Sequence, residues 1–283
     1  MMIARTANRR HRVIPGVVAL LLMPMTSELT QGNTVLLQVR PGAGDTIRVR
    51  LDQTVEMTGS PGADGKPMVE SGTLVLLATL AVESVDKDGA TIVSVTDSVR
   101  VNSPPNSASS AVLAWAAIAA NRAVRFRVAP NGAAYVPTNR GRSMPSASYT
   151  SAVPATLPAR AIAPGTSWNS VLQIPLASSA DPKGSATLVA TFTFDSLSRS
   201  GELAFISLRG RLTKADTDEP PAPGRSLVET SGTVVGQVML DRRRGWITDA
   251  RTTFSLLSLV TPSEAGKAPM RVRMTISQWL RAM

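Results

Sequence analysis

Most recognisable active sites draw on histidine, cysteine or paired carboxylates, and this chain of 283 residues has one histidine and no cysteine. The histidine, His11, lies among Arg9, Arg10 and Arg12 with no second imidazole to join it. Once an amino-terminal segment that carries His11 is removed, neither histidine nor cysteine remains, an inventory that excludes Ser-His-Asp and Cys-His nucleophilic catalysis. It also excludes zinc or copper sites built on His or Cys, and the usual haem and iron–sulfur ligation. Neither a G-x-x-x-x-G-K-[ST] loop nor a strand-to-helix G-x-G-x-x-G turn occurs, which removes the common nucleotide sites. No cofactor is expected.

Carboxylates, lysines and aromatics remain. Asp86 and Asp88 flank Lys87 just before Gly89, a composition that reads as a hairpin tip rather than a cation loop. Asp216, Asp218 and Glu219 form the denser acidic loop and are the weak calcium candidates. A histidine-free glycosidase needs two carboxylates facing one bond, and no pair stands out for that work. Lys66, Lys87, Lys183, Lys214 and Lys267 all adjoin turn or loop residues. Trp115, Phe126, Trp168, Phe192, Phe194 and Phe205 are the candidates to line an apolar cavity, which would suit acyl chains. Core packing is the plainer role for the same rings.

The amino terminus reads as an export signal over residues 1–30. Arg5, Arg9, Arg10, His11 and Arg12 precede an apolar run at 13–25, short for a membrane span and of the right length for a signal core. A short anchor or a buried first helix are the alternatives. The formal net charge is +10, and the four arginines of the leader account for part of it. Elsewhere the basic residues alternate with acids, and Arg242, Arg243 and Arg244 form the one run. Nucleic-acid binding calls for a clustered basic stripe, so no nucleic-acid partner is expected. A weak contact with an anionic envelope surface is compatible with the charge.

The elements that must position these residues are strands. Ile47, Val49, Leu51, Val55 and Met57 alternate with Arg48, Arg50, Asp52, Thr54 and Glu56, the period of a strand with one wet face. Residues 187–197 and 271–277 do the same, and single-faced sheets are usually antiparallel. A repeat with a spacing of 112 residues sets Leu76, Ala78, Thr79, Ser84 and Gly89 against Leu188, Ala190, Thr191, Ser196 and Gly201. Pro41-Gly42 and Pro164-Gly165 precede the first strand of each copy. Further hairpins turn at Asn131-Gly132 and through residues 241–245. Ten or eleven strands are expected, with residues 254–260 and 270–280 among them. The Ala-rich segment 109–121 is the best helix candidate.

Several phrases together carry a family resemblance: GDTIRVRLDQTVEM, VESVDKDGA, a V-x-P-N-G turn, LPARAIAPGTSW and GQVMLDRRRGW. The chain resembles a bacterial family of exported or lipid-anchored β proteins of unknown function, similar in shape to the open-barrel lipoprotein carriers of the envelope. The resemblance runs over about residues 35 to 281 and rests on turn motifs. Many members of such a family would carry a lipobox cysteine, which this chain lacks. It implies a fold and a compartment, and no catalytic residues.

The expected fold is mainly β: two antiparallel repeats forming a curved open sheet or incomplete barrel, with one or two short helices. The first half covers 31–140, a Pro/Ser-rich connector 141–163, and the second half 164–283, with one core between them. Two separate sandwiches are the alternative. The expected function is non-enzymatic: an exported envelope or secreted protein whose partner is a hydrophobic small molecule or lipid. A carboxylate-based hydrolase and an outer-membrane barrel are the other classes considered.

Overall fold

The computed structural model describes residues 34–60, 68–103, 116–117, 120, 123–136, 144–145, 156–175, 185–214, 227–262 and 268–283. Residues 1–33, Trp115 and the acidic segment of Asp216, Asp218 and Glu219 lie outside the described residues. Twelve strands follow in chain order: β1 (Thr46–Ser60), β2 (Met68–Asp86), β3 (Gly89–Asn102), β4 (Ala123–Val128), β5 (Ala134–Val136), β6 (Met144–Pro145), β7 (Ser167–Pro175), β8 (Ser185–Leu197), β9 (Leu203–Lys214), β10 (Leu227–Asp241), β11 (Trp246–Thr261) and β12 (Met270–Ala282). They form a single sheet in the order β6-β5-β4-β3-β2-β1-β12-β11-β10-β9-β8-β7, and all its pairs are antiparallel.

The mainly β, open-sheet expectation is therefore correct, and two details differ. Residues 254–260 are not a separate strand but the far half of β11, continuous with Trp246. The connector contributes a two-residue strand, β6, at the sheet edge. The halves do not form separate sandwiches. β12 pairs with β1 from Val49–Ala282 to Ser60–Arg271, so the last strand of the chain joins the second half to the first.

Such a sheet cannot be flat. One face is buried along its whole width, by Phe126 on β4, Ile92 on β3, Leu51 on β1, Ala250 on β11 and Phe192 on β8, all in one cluster. With no second layer among the described residues, only curling lets that face cover itself. The segment before β1 shows how far the curl goes. The Val39 N–H donates to the Pro130 carbonyl in the β4–β5 turn, and the Arg40 N–H donates to Gly245 in the β10–β11 turn. Pro130 follows β4 and Gly245 precedes β11, five strand spacings apart along the sheet, about 24 Å if it were flat. Adjacent residues of one strap reach both.

A second strap repeats the device. Leu157 N–H donates to Asn131 of the β4–β5 turn, while Thr156 receives the Trp168 indole N–H (2.6 Å) and the Ser170 hydroxyl (3.0 Å) from β7. It crosses the gap between the β5–β6 edge and β7, where no strand pairing closes the sheet among the described residues. The straps meet at a Val35–Ile162 bridge. Their apolar residues Leu37, Val39, Leu157 and Ile162 are buried and plug the turn end of the core.

The internal repeat is visible in hydrogen bonds. Asp45 N–H donates to Gly42 C=O and Thr166 N–H to Ala163 C=O, each closing a four-residue turn. The third residue of each turn is a glycine with positive φ, Gly44 at 84° and Gly165 at 86°, as a type II turn requires. After the turn, Gly44 and Asp45 exchange bonds with Val82, and Gly165 and Thr166 do so with Phe194, 112 residues further on. The match to Gly165 is thus Gly44, not Gly42 as the Pro-Gly alignment suggests. Register shifts fall beside Glu83 in β2 and Asp195 in β8, so the repeat conserves its bulges as well as its turns.

Of the segment 109–121, Ala116 and Ala117 are helical, and the Ala120 N–H donates to the Ala116 carbonyl; residues 109–115 lie outside the described set. Ala116 packs on the inner face against a small cluster around Val55 and Leu74.

Candidate functional site

Strand alternation decides where each cavity candidate goes. Phe126, Phe192 and Phe194 point inward and are buried at 3%, 1% and 0% exposure. Trp168 stacks on Phe192 with ring centres 5.6 Å apart. These four rings are packed core. Phe205 must be corrected: it neighbours inward-facing Ala204 and Ile206 on β9, so the pleat turns it to the outer face, where it is 37% exposed. The described candidates therefore do not converge on one cavity.

The turn at Asp86, Lys87 and Asp88 is engaged by the protein itself. Asp86 accepts from Arg127 at 2.6 Å and from the Asp88 N–H at 2.8 Å. The Arg127 hydrogen bond, followed by the Asp88 amide, holds the Asp86 carboxyl below the usual carboxylate range. No three acid or histidine side chains come together as a metal site among the described residues.

The inner face has a polar line across the junction of the halves. Gln53 on β1 lies opposite Gln278 on β12, which lies opposite Thr252 on β11. Gln278 Nε2 donates to Gln53 Oε1, and Thr252 Oγ1 donates to Gln278 Oε1, both at 3.4 Å. Burial classes all three with the core. On the turn side of this line Leu51, Leu280 and Ala250 belong to the main cluster. On the loop side, Val99, Val101, Met274 and Ile276 are only partly buried, around Val55, Leu74 and Ala116. Sequence alternation placed Gln53 on the apolar side of β1 without giving it a role.

Around β12 the outer face is polar and ion-paired. Asp52 accepts from Arg50 at 2.7 Å and from Arg281 at 3.3 Å. Arg251 and Arg281 lie 4.3 and 4.1 Å from the centre of the Trp279 ring, whose N–H donates to Asp249.

One cavity, about 490 Å³, lies at the turn end. β12 pairs with β1 up to Val49–Ala282 and with β11 up to Asp249–Arg281. β1 continues to Thr46 and β11 to Trp246, which leaves a notch one strand wide, about 10 Å between their axes. Ile47, Arg48, Arg244, Trp246 and Met283 line it together with Asp45. A smaller cavity of about 170 Å³ lies between the first strap and the β2–β3 turn, against Gln38, Lys87 and Pro130. Sequence reasoning noted the Arg242–Arg244 run; its meeting with Trp246 at this cavity depends on how β1 and β11 flank β12, which no local pattern encodes.

No family model matches this chain, and no curated protein resembles it in sequence.

Proposed function

We propose that this is an exported, non-enzymatic protein of the bacterial envelope or its surroundings that binds an acyl chain or similar hydrophobic ligand along the inner face of its curled sheet. The observation that carries this reading is the loop-side patch of Val99, Val101, Met274 and Ile276. These side chains are apolar, face inward and are only partly covered by the described chain. An unzipped sheet edge gives such a patch an entrance that a hydrogen-bonded barrel would lack. A membrane-spanning barrel needs an apolar band on its outer face. Here the outward positions of β1 and β12 carry Arg48, Arg50, Asp52, Glu56, Arg271, Arg273 and Arg281, which favours a protein that works in water.

The test is extraction of the purified mature protein with organic solvent, followed by mass spectrometry and titration with a fluorescent fatty acid such as cis-parinaric acid. Co-purifying lipid or saturable binding is expected, weakened by Met274→Glu. Absence of both lipid and probe binding overturns the reading. Cell fractionation checks the compartment, with the protein expected outside the cytoplasm and extractable without detergent.

A further inference from the structure

The loop-side part of the inner face carries a single charge. Along β1, β2, β3 and β12 the inward positions among the described residues are uncharged apart from Glu70. Alternation from buried Leu74 and Gly72 brings Glu70 to the inner side of β2, two residues from the start of that strand. Its neighbours across the sheet are Met57 on β1 and then Met274 on β12. Glu70 Oε2 is shielded from solvent and has no hydrogen-bond partner among the described residues. No lysine or arginine faces inward on these four strands to answer it. A carboxylate oxygen kept from water without a donor is costly, and such a group in a folded protein calls for a partner that is missing.

A second oxygen makes the same demand. Ser103 follows β3 directly, two residues past inward-facing Val101, and its hydroxyl is buried with no partner among the described residues. The Thr73–Asn102 pairing brings Ser103 beside Gly72, one step along the inner side of β2 from Glu70. The apolar patch adjoins this rim. The row Glu70–Met57–Met274 and the row Leu74–Gln53–Gln278 are four residues apart, about 14 Å along the strands. Val55 and Ile276 lie between the two rows, and Val101 lies beside Leu74. At the far row the amides of Gln53 and Gln278 satisfy each other.

Building on the inner-face site proposed above, we infer that its ligand is an amphiphile with a positively charged head that donates hydrogen bonds, such as a long-chain amine. Glu70 and Ser103 hold the head at the loop rim, and the chain lies over Val55, Met274 and Ile276 toward the Gln53–Gln278 pair. An ammonium has three donors, enough for the carboxylate and the hydroxyl together, and a charge-assisted bond is the stronger kind. A fatty acid keeps the contacts of its chain but sets a second carboxylate against the first. A metal ion is a poorer fit, because no three acid side chains meet among the described residues.

The experiment uses the whole chain and the neutral dye N-phenylnaphthylamine, displaced at neutral pH by dodecylamine, dodecanol or dodecanoate. The formal net charge of +10 favours the anion at any nonspecific site, so a preference for the amine reports a local carboxylate. Dodecylamine is expected to compete about tenfold more tightly than dodecanoate, with dodecanol between them. Glu70→Gln should abolish that preference while the dye binds as before, and Glu70→Asp should retain it. Ser103→Ala should weaken the amine alone. Glu229→Gln, on the outer face of β10, leaves the order unchanged. Circular dichroism of each variant confirms the β fold. Equal competition by amine and carboxylate, or a preference that survives Glu70→Gln, overturns the inference and leaves Glu70 with water only. Absence of dye and amine binding together overturns the inner-face site itself, so the two failures are distinguishable.

Discussion

At the scale of single residues, the contacts that close the turn end make the sharpest demands. Gly245 has φ of 63°, and a Cβ there would run into the backbone of Arg40 in the first strap. Gly44 has φ of 84°, but a Cβ would meet nothing within 4 Å. Gly44→Ala should thus cost about 1 kcal/mol, the left-handed penalty alone. Gly245→Ala adds a steric clash with main chain that cannot swing aside, and should cost about 3 kcal/mol or more. Urea unfolding of the two variants measures the difference, and equal losses would mean that the strap does not seat on Gly245. Asp86 supplies a pH test. Its carboxyl is held below the ordinary range first by the Arg127 hydrogen bond and then by the Asp88 amide. A lowered folded pKa contributes stability above the unfolded value, and that contribution fades as pH falls through the lowered one. A carboxyl NMR titration should therefore find Asp86 ionised further into acid than a free aspartate. Arg127→Gln should move its midpoint upward, and an unmoved midpoint would remove the pair from the account.

At the scale of elements, β12 is the part that alternation could describe but not place. Its period-two pattern was readable, as were those of β1 and β8, because each has one wet and one dry face. What it pairs with was not, since the pattern of one strand carries no information about the identity of its neighbour. The same gap explains the missed straps: residues 35–40 alternate over too few residues to stand out and residues 157–162 do not alternate, and their burial follows from a curl that only the assembled sheet possesses. Phe205 failed for a local reason, one residue of register beside a strongly apolar strand. Where β12 sits, it brings Gln278 between Gln53 and Thr252 in an otherwise apolar face. A buried amide left without its partner costs more than the pair contributes when intact. Gln53→Leu alone should destabilise by about 1–3 kcal/mol, as should Gln278→Leu. The double variant removes both amides, so its loss should be well below the sum of the two. A double-mutant cycle by chemical denaturation reads this coupling directly, and strict additivity would show that the two amides do not depend on each other.

At the scale of the whole molecule, each half is a meander of five long or short strands whose inner face it cannot cover alone. β1 to β5 end at β1 on one side, and β7 to β11 end at β11 on the other, with β12 inserted between them. The insertion means that the chain must return across more than two hundred residues to pair its last strand with its first. Contacts of that range make folding slow and all-or-none rather than half by half. The buried cluster supports the same conclusion, because it draws on strands from both halves and on both straps. Residues 33–283 accordingly form one compact unit. This is why a chain of this size needs no disulfide: its core is large enough once the halves are joined, and too small before. A fragment of residues 34–145 and a fragment of residues 156–283 should each lack a cooperative unfolding transition when purified alone. Co-expressed, they should associate and recover a β signature with one transition, since the cut falls in the segment between β6 and the second strap. If the second fragment unfolds cooperatively by itself, with its inner face shielded from hydrophobic dyes, then β12 is not the element that makes two halves into one protein.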